Sequence, residues 1–183
     1  DQASAGHDGH SPASTPASPA SPASPGGRNS ADVAFAQGMI PHHRQAVEMA
    51  DLAPGRAGSD EVRSLAAEIK KAQGPEITTL SGWLTSWGEE QPAEDAGGHA
   101  AHGAGGMMSA QDMELLRKAS GAAFDRAFLR MMIEHHEGAV AMARTETAEG
   151  SHAPAREMAG GITASQTAEI ERMEKLLGEI GES

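Results

Sequence analysis

The feature that most restricts what this chain can become is a repeat. Met39-Ile40-Pro41-His42-His43, followed by Ala46, Val47, Met49 and Ala50, returns 93 residues later as Met132-Ile133-Glu134-His135-His136, followed by Ala139, Val140, Met142 and Ala143. The same offset holds without a gap outside the motif. It matches Asp32 to Asp125, Phe35 to Phe128, Arg63 to Arg156, Gln73 to Gln166, Glu76 to Glu169 and Ile77 to Ile170. A tandem duplication of this kind means two copies of one supersecondary unit, and positions kept in both copies can be compared inside a single chain.

The apolar inventory points to helix. Leu, Ile, Val and Phe are sparse and Tyr is absent, so a core has to come largely from Ala, Met and Leu, all good helix formers. Ser30 is a candidate N-cap for a helix reaching about Ala53, with Asp32 in its first turn and Pro54-Gly55 as its stop. Asp32, Phe35, Met39, His42, His43, Ala46, Met49 and Ala50 share one arc of that helix, with Gln45 on the flank. Pro41 should kink the helix without ending it, because its counterpart Glu134 is an ordinary helix residue. Ser59-Asp60 opens a second helix with an apolar stripe from Val62 to Leu84, and Gly74-Pro75, matched by Thr167-Ala168, reads as another kink.

Ser109 and Asp112 start a short helix. A long one from about Ala122 to Glu149 carries the second motif, and a last one runs from about Pro154 to Ile180. Two helical hairpins, each with an apolar face to bury, should pair as an all-α four-helix bundle with approximate internal two-fold symmetry. Residues 1–29, built on an Ala-Ser-Pro unit, read as a disordered tether that holds the bundle of residues 30–183 away from a surface. Within the bundle, repeat one covers 30–88, a Gly, Ala and His rich linker 89–108, and repeat two 109–183. His7 and His10 in the tether, and His99 and His102 in the linker, read as incidental.

A formal net charge of −12 with no Lys/Arg cluster argues against nucleic acid as a partner and is compatible with metal ions. No apolar run approaches the length of a membrane span. With no cysteine, disulfides, thiolate metal sites and thiol catalysis are excluded. The start at Asp1, without Met or an apolar leader, suggests a processed exported protein, secreted, periplasmic or lipid-anchored upstream.

The chemistry sits in the histidines and their sulfur neighbours. Adjacent histidines on a helix diverge by about 100°, so each pair supplies two clusters rather than one point. On the wheel His42 lies with Met49 and His43 with Met39, His135 with Met131 and Met142, and His136 with Met132. Imidazole with thioether selects soft or borderline metals, copper above all and Cu(I) in particular, with other transition metals open. The alternative is that the methionines fill a core and the histidines are satisfied structural residues. Gln73, Glu76, Gln166 and Glu169 fall within the apolar stripes of the second and fourth helices. They either orient the imidazoles, pair with each other or with Arg63 and Arg156, or ligate directly. Asp32 and Asp125 read as partners of those arginines. A buffer or carrier is favoured over a catalyst; a ferritin-like redox enzyme and an envelope interaction module are the rivals.

The segments GMIPHHRQAVEMA, FLRMMIEHHEGAVAMARTE and SQTAEIERM resemble the family known as domain of unknown function 305, from Ser30 to the C-terminus. That resemblance implies a ferritin-like bundle, usually exported or lipid-anchored, with some members similar to copper-binding proteins. Carried over, it implies metal contacts at Met39, His42, His43, Met49, Met132, His135, His136 and Met142.

Overall fold

Side-chain capping marks the start of three of the five α-helices in the computed structural model, which describes residues 27–94 and 104–181. Helix α1 (Ser30–Arg56) starts from Asn29, not Ser30: the Asn29 side chain accepts from the Asp32 amide at 3.1 Å, and Asp32 accepts from the Asn29 amide at 2.7 Å. This reciprocal box satisfies two amides that a helix start leaves without partners. At the other end α1 passes through Pro54 to Arg56, three residues beyond the expected stop at Ala53. A proline forfeits one helical hydrogen bond, and here the Ala57 amide still closes onto the Ala53 carbonyl at 2.9 Å.

Helix α2 (Asp60–Trp87) is capped by Ser59 and ends on Gly88, whose φ of 67° suits a residue without Cβ. Both α1 and α2 stay helical through their internal prolines, Pro41 and Pro75. A second capping box, Ser109 with Asp112, starts the short α3 (Ala110–Lys118); α4 (Gly121–Glu149) and α5 (Ala153–Ile180) follow. Moving α2 along by 93 residues reproduces both ends of α5, and the last residue of α1 falls on the last residue of α4. The repeat in the sequence is therefore a repeat in structure, matching at every helix end but the start of α4, which begins two residues early.

Helix α1 packs along α2, α4 along α5, and the two hairpins meet through α1 and α4, the helices that carry the motifs. Their buried side chains form two clusters, each drawing on all four long helices. One holds Met49, Leu65, Ile69, Phe124, Phe128, Met132 and Met173; the other holds Phe35, Met39, Leu80, Leu84, Ala143, Ala159 and Ile162. The expected all-α bundle of two duplicated hairpins is what the chain forms, with no β-strand among the described residues.

The end of the linker lies against the α1–α4 seam and breaks its symmetry. A 3-10 turn (Ala104–Gly106) packs on α4. Gln45 is buried, not on the flank as its place on the wheel suggests, because its amide grips the Met108 backbone in both directions, at 2.9 and 2.7 Å. The repeat-related position is Gly138, where a Cβ would overlap the Gly105 carbonyl oxygen. One position of the motif thus holds the linker with a side chain, and its counterpart makes room by having none. The tether up to residue 26, with His7 and His10, and the linker histidines His99 and His102 lie outside the described residues.

Replacing Gly138 with Ala should therefore cost about 1–3 kcal/mol through overpacking against the linker. Gly160→Ala, on a stretch of α5 where an added Cβ meets nothing within 4 Å, should stabilise by up to about 1 kcal/mol. Urea unfolding of the two variants beside the parent checks both signs.

Candidate metal centre

Near the middle of the α1–α4 seam, the repeat brings a residue against its own counterpart. The rings of His42 and His135 lie 3.7 Å apart, centroid to centroid, tilted by 35°. Because these positions are related by the repeat, the internal two-fold axis passes between them. Both rings are buried, and so are His43 and His136 on either side. The structure thus gathers all four motif histidines in the interior.

Their hydrogen bonds leave nitrogen lone pairs over. His43 Nε2 pairs with Glu76 Oε1 at 3.0 Å, and His136 Nε2 with Glu169 Oε1 at 2.8 Å, the same contact in both repeats. His42 Nε2 meets the Gly105 carbonyl at 2.9 Å. In each case the Nδ1 atom is buried without a partner, and in His135 both ring nitrogens are. A ring that donates Nε2–H to a carboxylate or carbonyl is fixed in the tautomer whose Nδ1 carries a free lone pair, the form a metal requires. Of the readings open for the Gln and Glu positions, Glu76 and Glu169 orient imidazoles. Gln73 and Gln166 are buried beside them in sequence, each with an unpartnered Oε1.

Burial also keeps the central pair uncharged. It lowers His42 to about 3, with the neighbouring His43 and His136 adding to the effect and the Gly105 carbonyl opposing it. His135 is held well below its ordinary range by burial first, then by His42, His136 and His43. A neutral imidazole competes for a cation instead of a proton, so protons do not block the centre at mildly acidic pH.

The methionines are sorted by position along the seam and not by motif. Met39 lies in one cluster with the half-buried Met142, while Met49 and Met132 lie in the other. This departs from the wheel, which set each histidine beside sulfur from its own helix; α1 and α4 run antiparallel, so each end of the seam joins the early methionine of one motif to the late methionine of the other. Among the described residues no three His, Asp or Glu side chains converge as a metal cluster. Closed coordination by three such N and O donors is thus absent among the described residues.

Asp32 and Asp125 have a different task from the one the sequence suggests. Asp125 Oδ1 accepts from the Gly58 amide at 2.9 Å, and Asp32 accepts from the amides of Ser151 and His152 at 3.0–3.2 Å. Ser151 is the counterpart of Gly58, so each aspartate at the start of a motif helix ties down the hairpin turn of the other repeat. The arginines go elsewhere, Arg63 to the Ala57 carbonyl and Asp60, Arg156 to the Thr147 carbonyl.

One buried acid escaped the sequence reading. Glu146 is 1% exposed, and neither of its oxygens receives a hydrogen bond. It lies against Asp32, and two carboxyls in contact share a proton. Burial first, and then Asp32, push Glu146 up to about 8. Burial alone would raise Asp32 too, but hydrogen bonds from Glu146, Asn29, His152 and Ser151 outweigh it and bring Asp32 down to about 2. The repeat offered a signal, since the counterpart of Glu146 is Ala53 and an acid has replaced a core alanine.

A family model described as "Domain of unknown function (DUF305)" matches residues 32–177. Among solved structures, a DUF305 protein from Streptomyces coelicolor, inferred to be secreted, is 32% identical, with 83% of this chain and 94% of that chain covered and a TM-score of 0.75. CopM in a Cu(II)-bound form is 32% identical over 81% of this chain and 96% of that one, with a TM-score of 0.72. Its Cu(I)-bound form is 30% identical over the same shares, with a TM-score of 0.68. A comparison with curated proteins finds no match.

The acid pair sets a pH dependence of stability. Glu146 binds its proton more tightly folded than unfolded, so its contribution is complete below its ordinary 4.5 and is lost as pH rises through about 8. Glu146→Gln keeps a donor for Asp32 and has nothing to ionise. Its stability advantage over the parent should grow by up to about 1.4 kcal/mol per pH unit across that window and then level off, in urea melts from pH 5 to 9.

Proposed function

The chain belongs to the family described as domain of unknown function (DUF305), and from that premise we propose that it is an extracytoplasmic copper-binding protein, a buffer or carrier of the ion and not a catalyst. The observation that carries this reading is the set of buried imidazoles with unpartnered ring nitrogens on and beside the internal axis, in an interior otherwise supplied with thioethers. His42, His43, His135 and His136 supply the nitrogen, and Met39, Met49, Met132 and Met142 the sulfur. Such a donor set favours copper, and Cu(I) over Cu(II) where sulfur takes part. Glu76 and Glu169 fix the tautomers and raise the basicity of the ring nitrogens they do not touch.

Two further observations support the reading. A relative of similar length and fold, CopM, has been seen with Cu(I), Cu(II) and Ag bound. The chain also avoids cysteine, and thioethers do not form the disulfides that would disable thiol ligands in an oxidising compartment. No described helix is long and apolar enough to cross a membrane. The copper reading further accounts for the cost of the centre, since partly unsatisfied buried imidazoles destabilise the apo fold and a bound ion removes that penalty.

Titration of the apo protein with Cu(I) against a competing chelator tests the proposal. Replacing all four motif histidines with Ala should weaken binding by at least about 100-fold, and Glu76→Gln with Glu169→Gln by about 10-fold. Binding that is unchanged in the four-histidine variant would overturn the assignment. Saturating Cu(I) should also raise the melting temperature of the parent and leave that of the variant unmoved.

A further inference from the structure

The duplication contains its own control, because whatever the two copies do not share is not needed to build the bundle. The largest such difference lies at one end of the α1–α4 seam. Walking from the histidines toward the start of α1 is also walking toward the end of α4, past Gly38, which sits under the Met142 sulfur. There the seam opens as a cleft of about 200 Å³, with Ala31 and Phe35 on one wall and Met142, Glu146 and Glu149 on the other.

At the matching place on the other end the seam is filled. Ala31 corresponds to Phe124, which is fully buried and stacks on Phe128 at 5.6 Å. Met142 corresponds to Met49, fully buried where Met142 is only partly buried and lines the cleft. Glu146 corresponds to Ala53, and Glu149 at the rim to Arg56. One end therefore has an aromatic plug, a core alanine and a cation. The other has a vacancy, a thioether within reach of solvent, a buried carboxyl that no donor serves, and an acid at the mouth. Core packing cannot explain that set, because a buried carboxyl held against Asp32 weakens the fold where alanine would not.

We infer that this cleft is the access site through which a soft monovalent cation reaches the histidine centre, with Glu146 as its transient ligand, Glu149 drawing the ion to the mouth, and the Met142 sulfur, already a ligand of the centre, receiving it from the cleft. The inference rests on the copper reading above and adds a route to it. The ion keeps its oxidation state throughout and passes on to His135, two helical turns from Met142 on the same helix. The net −12 charge of the chain aids capture at any point of the surface, and here a buried carboxyl stands beside a partly buried thioether on the seam that leads to the rings.

The test uses the full chain and Cu(I) supplied as its bathocuproine disulfonate complex, with the loss of the coloured chelate followed in a stopped-flow instrument. Ala31→Phe and Glu146→Ala each give the cleft the residue found at the filled end. Both should take up Cu(I) about tenfold more slowly than the parent and reach the same final occupancy. Circular dichroism melts establish that each variant is folded, and Glu146→Ala serves if the added aromatic ring is not accommodated. Uptake at the parental rate in the folded variants would overturn the inference. So would an unchanged rate with lower final occupancy, which would place Glu146 in the resting site. If the parent itself removes no Cu(I) from the chelate, the copper reading fails, and the access site with it.

Discussion

An imidazole taken out of water with a nitrogen left unpartnered is a standing cost, and this protein bears that cost four times around a single axis. The arrangement around it follows from keeping those rings buried and oriented. Glu76 and Glu169 reach in from α2 and α5 to hold one ring each, and the linker backbone at Gly105 holds a third. His135 alone is left with both nitrogens open, against the ring of its own repeat partner. A core made only for stability would replace these groups with leucine or methionine of similar volume. That it does not is the physical content of the claim that the centre exists for a ligand.

The internal two-fold axis explains how such a centre is assembled from an ordinary hairpin. Each repeat contributes a His-His pair that diverges around its helix, so one ring of each pair meets its counterpart on the axis and the other turns toward its own second helix. The crossed aspartates fix the same relation from the ends, Asp32 and Asp125 each holding the hairpin turn of the opposite repeat through backbone amides. Surface ion pairs such as Arg172–Glu68 add little to this, being half-exposed and open to screening by salt. Where the symmetry fails, it fails at places that face solvent or the linker: Gln45 against Gly138, and the filled end of the seam against the open one.

The duplication, the helices and the inward direction of the histidines were all legible in the chain, because a fixed offset and a helical period are local properties of a sequence. The capping boxes were half legible: Asp32 was placed in a first turn, but Asn29 was passed over in favour of Ser30. The extension through Pro54 was not foreseen, since the loss of one hydrogen bond at a helix end is small enough for packing to override. The partners of Asp32 and Asp125 are not legible in the sequence for a different reason. Arginine is the obvious mate of a buried acid, whereas here the mates are backbone amides more than 60 residues away, which no side-chain pattern announces.

What the amino-acid order determined by itself is the class of object: two copies of a helical hairpin, each bringing a Met and His face to a common interior, without cysteine and with an acidic surface. What only the tertiary structure decided is which groups meet. Antiparallel packing of α1 on α4 set His42 against His135, paired the methionines across the motifs, and put Glu146 beside Asp32 at the open end of the seam. The physical reason is that spacing within a helix fixes the direction of a side chain, while its partner across an interface depends on the register of two helices, and register is set by all the contacts of the bundle together.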